Sequence, residues 1–190
     1  MAPPKNKKTA SSSAPTRSGP VQILPYLYLG PQSTSASEIA LAHGITHIIS
    51  IGCSPSKAQG SKSISYHRLS LLDDPGADIT TAVRLAAGII NNAKALADRP
   101  GKVLAHCVAG ISRSPAVLAG YLIQEEGMSL KEALHILARA KPTVRPNDGF
   151  LRQLKEMEIG IRGSGTIETD TLPGTVKERL RFLGVDDAAT

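Results

Sequence analysis

The chain has 190 residues, 41% of them apolar and 3% aromatic, with no tryptophan. That suffices for about one domain around an aliphatic core, and no apolar run approaches the roughly 18 residues of a membrane span. The formal charge is +6, but Lys5, Lys7, Lys8 and Arg17 put +4 of it in the first 20 residues, so the body lacks the basic face and stacking aromatics of a nucleic-acid binder.

Residues 1–20, rich in Ser, Pro, Lys and Ala, read as a disordered basic tail that cannot bury enough apolar area to offset its ordering entropy. Its lysines have no apolar run behind them, so no secretory signal is expected. "PKNKK" reads as solvated tail, with a nuclear-import patch as the alternative. "VQILPYLYLG" (21–30) reads as two short strands broken at Pro25. Ser35 and Glu38 have the spacing of a capping box, predicting a short helix to about His43. Strands follow at 45–52 and 63–71, and a helix from about Asp78 to Ala97, with Ile79, Val83, Ala86, Ile90 and Ala93 on one face. "KVLAHC" (102–107) is a short apolar strand. A helix at 114–127 has Pro115 in its first turn, where a missing N–H costs nothing. Ser129 and Glu132 form a second capping box, and 147–160 reads as one more helix. From about Gly160 the chain loosens into a C-terminal tail, with a short helix at 175–184. Alternating strands and helices predict an α/β fold: a mostly parallel twisted sheet with helices on both faces.

The chemistry concentrates in "HCVAGISRSP" (106–115). Cys107 ends a strand, and a helix starts about six residues later. Gly110 permits unusual backbone angles between them, so the loop can turn its N–H groups toward one point beside a positive helix N-terminus. That point suits a phosphate dianion. Arg113 can hold two of its oxygens with one planar fork. The same field lowers a thiol's pKa from about 8.5 toward roughly 3.5–7.5, making Cys107 a candidate nucleophile below a bound phosphorus. His106–Cys107 lacks further Cys or His at metal-ligand spacing, and no G-x-x-x-x-G-K-[ST] loop is present. No metal or organic cofactor is implied.

"HCVAGISRS" resembles the H-C-x-x-G-x-x-R-[ST] signature of cysteine-dependent protein phosphatases. "ILPYLYLG", "GITHIIS", "DDPGADI", "SRSPAVLAGYLI" and "RPNDGFLRQL" are similar to motifs of their dual-specificity branch, in the same order, over about residues 21–158. The resemblance implies that Cys107 forms a phosphocysteine and that Arg113, with the N–H groups of Val108, Ala109, Gly110, Ile111, Ser112 and Arg113, binds the phosphoryl oxygens. It further implies that Ser114 hydrogen-bonds the sulfur, that His106 supports the thiolate from behind, and that Asn147 braces the loop. For the general acid it favours Asp73, which directly follows the strand, with Asp74 as the alternative. Asp78 is expected to begin the next helix as a cap or first-turn acid.

The implied reaction is dephosphorylation of phosphotyrosine and phosphoserine or phosphothreonine in proteins. The loop interior carries no lysine, which favours a phosphoprotein over an inositol lipid, and "AGISRS" is similar to the loop of phosphatases acting on MAP kinases. Scarce aromatics suggest a shallow pocket without a ring clamp on phosphotyrosine. The competing readings are a phospho-binding module without turnover and an RNA 5′-phosphatase. The two cysteines are too few for a disulfide framework and fit a reducing cytoplasmic or nuclear setting. For Cys53 the plainer reading is packing, and a reversible disulfide with Cys107, as in some relatives, is the alternative.

Overall fold

The computed structural model describes residues 19–54, 61–95 and 100–185. Nearly all of the basic N-terminal tail, and the end of the helix predicted to reach Ala97, lie outside them. Five strands form one mixed sheet: β1 (Val21–Leu24), β2 (Leu27–Pro31), β3 (His47–Ile51), β4 (Ser65–Leu69) and β5 (Val103–Cys107). Their order is β1-β2-β5-β3-β4. The hairpin β1–β2, broken at Pro25, is antiparallel, and every other pairing is parallel. β5 is therefore central, flanked by β2 and β3, and is buried at all five positions.

One face of the sheet carries α1 (Ser37–Ala42), where Ala40 packs with Tyr28, Ile45, Ile48 and Leu104. The other carries α2 (Thr80–Lys94), α3 (Arg113–Glu125), α4 (Leu130–Ala140), α5 (Asp148–Arg162) and α6 (Val176–Phe182). α3 follows β5 directly and is buried from Ser114 through Ile123, so it is apolar all round. The mostly parallel sheet with helices on both faces is as expected from the alternation of elements.

The Ser129–Glu132 capping box forms as read from the sequence. The Ser35–Glu38 box does not. Ser35 ends a short 3-10 turn (Gln32–Ser35), its hydroxyl donates back to the Gln32 carbonyl at 2.7 Å, and α1 starts without a side-chain cap. The register explains this: α1 begins at Ser37 with Ala36 as its cap, so Ser35 stands one residue ahead of the N-cap and Glu38 falls at the second helical position, one short of the box spacing. Asp78, expected as a cap or first-turn acid, is neither: α2 is capped by Ile79 without a side-chain bond, and Asp78 stands one residue ahead of it, accepting from the Thr80 N–H at 2.8 Å.

The stretch read as a loosened C-terminal tail packs against the body. Ile167, Leu172, Leu183 and Val185 join the core, but their irregular spacing gives no periodic signal. Glu158, fully buried on α5, accepts from the Leu130 N–H (2.8 Å), the Thr166 N–H (2.8 Å) and the Thr166 hydroxyl (2.7 Å). It thus ties the start of α4 to the start of the C-terminal segment. Glu158→Ala strands these donors away from water, so a loss of about 2–3 kcal/mol is expected in chemical denaturation. An unchanged midpoint would show that the segment docks without this carboxylate.

Candidate active site

Parallel strands bring their C-terminal ends to one edge of the sheet, where α/β folds place their ligands. Here that edge holds the end of β5 beside those of β2 and β3, with Pro31 opposite Cys107 and Ser50 opposite His106. Side chains alternate along a strand, so adjacent residues 106 and 107 diverge: Cys107 faces α3 and His106 the α1 side. The loop from Val108 to Ser112 then turns into α3, whose first residue is Arg113.

The loop is held from outside. The Gln32 N–H donates to the Val108 carbonyl (3.1 Å) and the Arg145 N–H to the Ile111 carbonyl (2.8 Å). The Asn147 N–H donates to Ser112 Oγ at 3.2 Å. Gly110 adopts φ +67°, and a Cβ there would lie 2.6 Å from the Gly30 carbonyl oxygen. With its carbonyls engaged outward, the loop aims N–H groups at the sulfur: the Gly110 N–H lies 3.2 Å from Cys107 Sγ, and those of Ile111 and Ser114 also bond it. The Ser114 hydroxyl donates to Sγ at 3.3 Å.

Cys107 is 2% exposed. Burial pushes its thiol pKa up, yet the bonds from the Ser114 hydroxyl and from the Ser114, Gly110 and Ile111 N–H groups together outweigh burial and hold it below the ordinary value. His106 is fully buried, which lowers its pKa to about 4, and its bond to the Cys107 carbonyl offsets this only in part. The imidazole is thus neutral across pH 5–8. Nε2 meets Ser50 Oγ at 2.8 Å, and Nδ1 lies 3.3 Å from the Cys107 carbonyl oxygen and 3.7 Å from Cys53 Sγ. His106 thus stands behind the cysteine through its backbone.

Arg113 Nη1 donates to the Gly52 carbonyl at 2.8 Å. Its Nε is buried without a hydrogen-bond partner and lies 3.6 Å from Asp73 Oδ2. Asp73 Oδ1 accepts from the Ser112 hydroxyl (2.6 Å) and from Asn147 Nδ2 (3.0 Å). Asn147 itself caps α5, accepting from the Phe150 N–H. The loop, Arg113, Asp73 and Asn147 therefore meet in one place. Asp74 does not join them: it accepts from the Gly76 N–H at 2.7 Å within its own turn. A cleft of about 370 Å³, containing Arg145, Asp73 and Ile111, borders the loop, and another of about 410 Å³, containing Arg68 and Leu72, lies beside Gly52. Among the described residues no group of three His, Cys, Asp or Glu is placed to hold a metal ion.

Two residues of the site were not singled out in the sequence. Ser50 was legible only as a hydroxyl inside an otherwise apolar strand. Gly52 adopts φ +62°, and a Cβ there would lie 2.0 Å from the Leu71 carbonyl oxygen and 2.6 Å from Arg113 Nη1. Only glycine leaves room for the guanidinium, and the one hint is its place just past a buried strand.

Because its pKa is lowered, the folded thiol loses its proton at lower pH than a cysteine in an unfolded chain. Iodoacetamide should therefore alkylate native Cys107 with a midpoint at lower pH than the same cysteine in the unfolded chain. Ser114→Ala is expected to move that midpoint upward, because the hydroxyl that favours the charged sulfur is lost. An unmoved midpoint would remove Ser114 from the stabilisation of the sulfur.

The description "Dual specificity phosphatase, catalytic domain" belongs to a family model that matches residues 27–159. Dual specificity protein phosphatase 19 of Mus musculus is 33% identical over 144 residues, covering 75% of this chain and 64% of the relative. Dual specificity protein phosphatase 2 of Homo sapiens is 35% identical over 165 residues, covering 84% of this chain and 51% of the relative. This chain thus spans less than two thirds of either. Among solved structures, the human tyrosine phosphatase-like serine/threonine/tyrosine-interacting protein superimposes with a TM-score of 0.67 at 31% identity, over 75% of this chain and 97% of that one. Human DUSP28 gives 0.67 at 27% identity, over 75% and 95%. A match across the strand, loop and helices that build the site establishes that the chain belongs to the dual specificity phosphatase catalytic domain family.

Proposed function

We propose that this chain hydrolyses phosphomonoesters of tyrosine and of serine or threonine in proteins, through a phosphocysteine intermediate. The observation that carries the reading is the buried Cys107 sulfur, bonded by inward N–H groups of a loop that ends in Arg113, whose buried Nε has no hydrogen-bond partner. A phosphoryl group seated there would meet the loop N–H groups from Val108 to Arg113 and would give that Nε its missing acceptor.

The Cys107 thiolate attacks phosphorus, the S–P bond forms, and the bond from phosphorus to the ester oxygen breaks. Asp73, protonated in the enzyme–substrate complex, gives its proton to that oxygen, since a bare alkoxide leaves poorly. Phosphoryl oxygens that take over Arg113 free Asp73 Oδ2 for this task. In the second step water attacks the phosphocysteine and passes a proton to the Asp73 carboxylate. The S–P bond breaks, and the Ser114 hydroxyl stabilises the departing sulfur. Asn147 holds the acid through its side chain and the loop through its backbone.

A phosphoprotein substrate is supported by the mouth of the site. Leu72, Val108 and Ile111 are 75%, 53% and 38% exposed and offer apolar contacts to peptide side chains. The similarity of "AGISRS" to loops that act on MAP kinases supports a kinase as one such substrate. The free thiols of Cys53 and Cys107 fit a reducing cytoplasmic or nuclear setting, and no described helix is long and apolar enough to cross a membrane. A second reading, phospho-binding without turnover, draws on the relative named as phosphatase-like and interacting. The approach of Asp73 to the loop favours turnover, because binding alone needs no acid there.

Cys107→Ser is expected to abolish turnover, and residual hydrolysis would refute the nucleophile. Asp73→Asn should lower kcat on alkyl phosphates by about 10²–10⁴-fold and remove the basic limb of a bell-shaped pH profile, whereas Asp74→Asn should do neither. The reverse ranking would move the acid to Asp74. On a phosphopeptide panel all three phosphoresidues should turn over, and turnover of phosphotyrosine alone would overturn dual specificity.

A further inference from the structure

Arg179, on α6, is 3% exposed. A buried cation needs compensation, and among the described residues Arg179 has no carboxylate partner. Its compensation is carbonyl oxygens. Nη1 donates to those of Pro173 (2.8 Å), Gly174 (3.2 Å) and Thr175 (3.4 Å), all in the C-terminal segment. Nη2 donates to that of Pro142 at 3.3 Å, across a sequence separation of 37 residues. One guanidinium therefore joins the C-terminal segment to the connection between α4 and α5.

That connection leads straight to the site. Lys141 to Asn147 contains two prolines, Pro142 and Pro146, whose rings restrict the backbone. Val144 within it is buried and its N–H bonds the Lys141 carbonyl at 3.0 Å. A shift at Pro142 therefore passes along a stiff segment to Arg145, whose N–H holds the Ile111 carbonyl of the phosphate-binding loop. It passes next to Asn147, which reaches Ser112 and Asp73. The segment on the other side of Arg179 is itself anchored by Leu172, Leu183 and Val185 in the core. It lies beyond residues 27–159, the part that matches the family domain.

We infer that Arg179 is a positioning residue: it locks the 163–185 segment against the Lys141–Asn147 connection and thereby sets the phosphate-binding loop and Asp73 at catalytic distance. This rests on the reading of Asp73 as general acid for its effect on rate, but not for its effect on the loop. The C-terminal segment is then part of the catalytic apparatus while touching no substrate atom.

The test uses Arg179→Met in the full chain, which keeps an unbranched apolar stem and removes the donors. Two readouts are taken on protein shown to be folded by circular dichroism. The first is hydrogen exchange at the Arg145 amide, expected to speed up by roughly 2- to 30-fold, the usual range for a coupling residue away from the site. The second is kcat on a phosphothreonine peptide against kcat on p-nitrophenyl phosphate. The peptide, whose leaving oxygen needs both the loop and the acid, should lose by a similar factor and by more than the aryl ester, which needs the loop but less of the acid. Arg179→Lys keeps the charge but lacks the fork, so it should fall between wild type and Arg179→Met, and it replaces Arg179→Met if that variant does not fold. Unchanged exchange at Arg145 in a folded variant overturns the inference, since α5 alone would then be holding the connection. Asp73→Asn is measured in parallel. If it shows no selective loss on the phosphothreonine peptide, the acid assignment fails, and exchange at Arg145 still decides the role of Arg179.

Discussion

A sulfur that gives up its proton in a place sealed from water has to be solvated by the protein itself, and Cys107 is solvated by one hydroxyl and three N–H groups. Much of the site follows from that requirement. The N–H groups can face inward only because the loop carbonyls face outward, and these are held there by Gln32 and Arg145. The hydroxyl comes from Ser114, one residue into the first turn of a helix that starts as soon as the loop ends. Sealing is supplied by the central position of β5, with a strand on either side and helices over both faces.

The same arrangement explains why neighbouring residues of one motif have different tasks. His106 and Cys107 share a strand, so their side chains leave on opposite faces. The histidine is buried among Ser50, Cys53 and the backbone, and its pKa of about 4 leaves it a neutral imidazole near neutral pH. Asp73 meets Ser112 and Arg113 at the end of the loop and Asn147 ahead of α5, two separate parts of the chain. The proposed acid is therefore placed by the loop it serves, and the connection after α4 braces both.

Local signals were legible wherever a side chain answers to its own neighbours. The Ser129–Glu132 box and the break at Pro25 are both present. The Ser35–Glu38 box had the same spacing but did not form, because the 3-10 turn ahead of α1 moves the helix start to Ser37 and makes Ala36 the cap. The C-terminal segment was unreadable for a related reason. Its apolar residues are few and unevenly spaced, and each is buried by contacts with elements distant in sequence.

The sequence by itself determined the alternation of strands and helices, the loop with Cys107, Gly110, Arg113 and Ser114, and the group of aspartates from which an acid is drawn. These are properties of residue type and short spacing, which the chain carries before it folds. Only the tertiary structure brought Asp73 to the Ser112 hydroxyl and left Asp74 in its own turn, turned His106 away from the sulfur, made Gly52 the residue that admits the Arg113 guanidinium, and brought Arg179 to Pro142. Each of those outcomes depends on which strand ends lie side by side and which buried donors must find acceptors. Such facts belong to the packed chain and to no window along it.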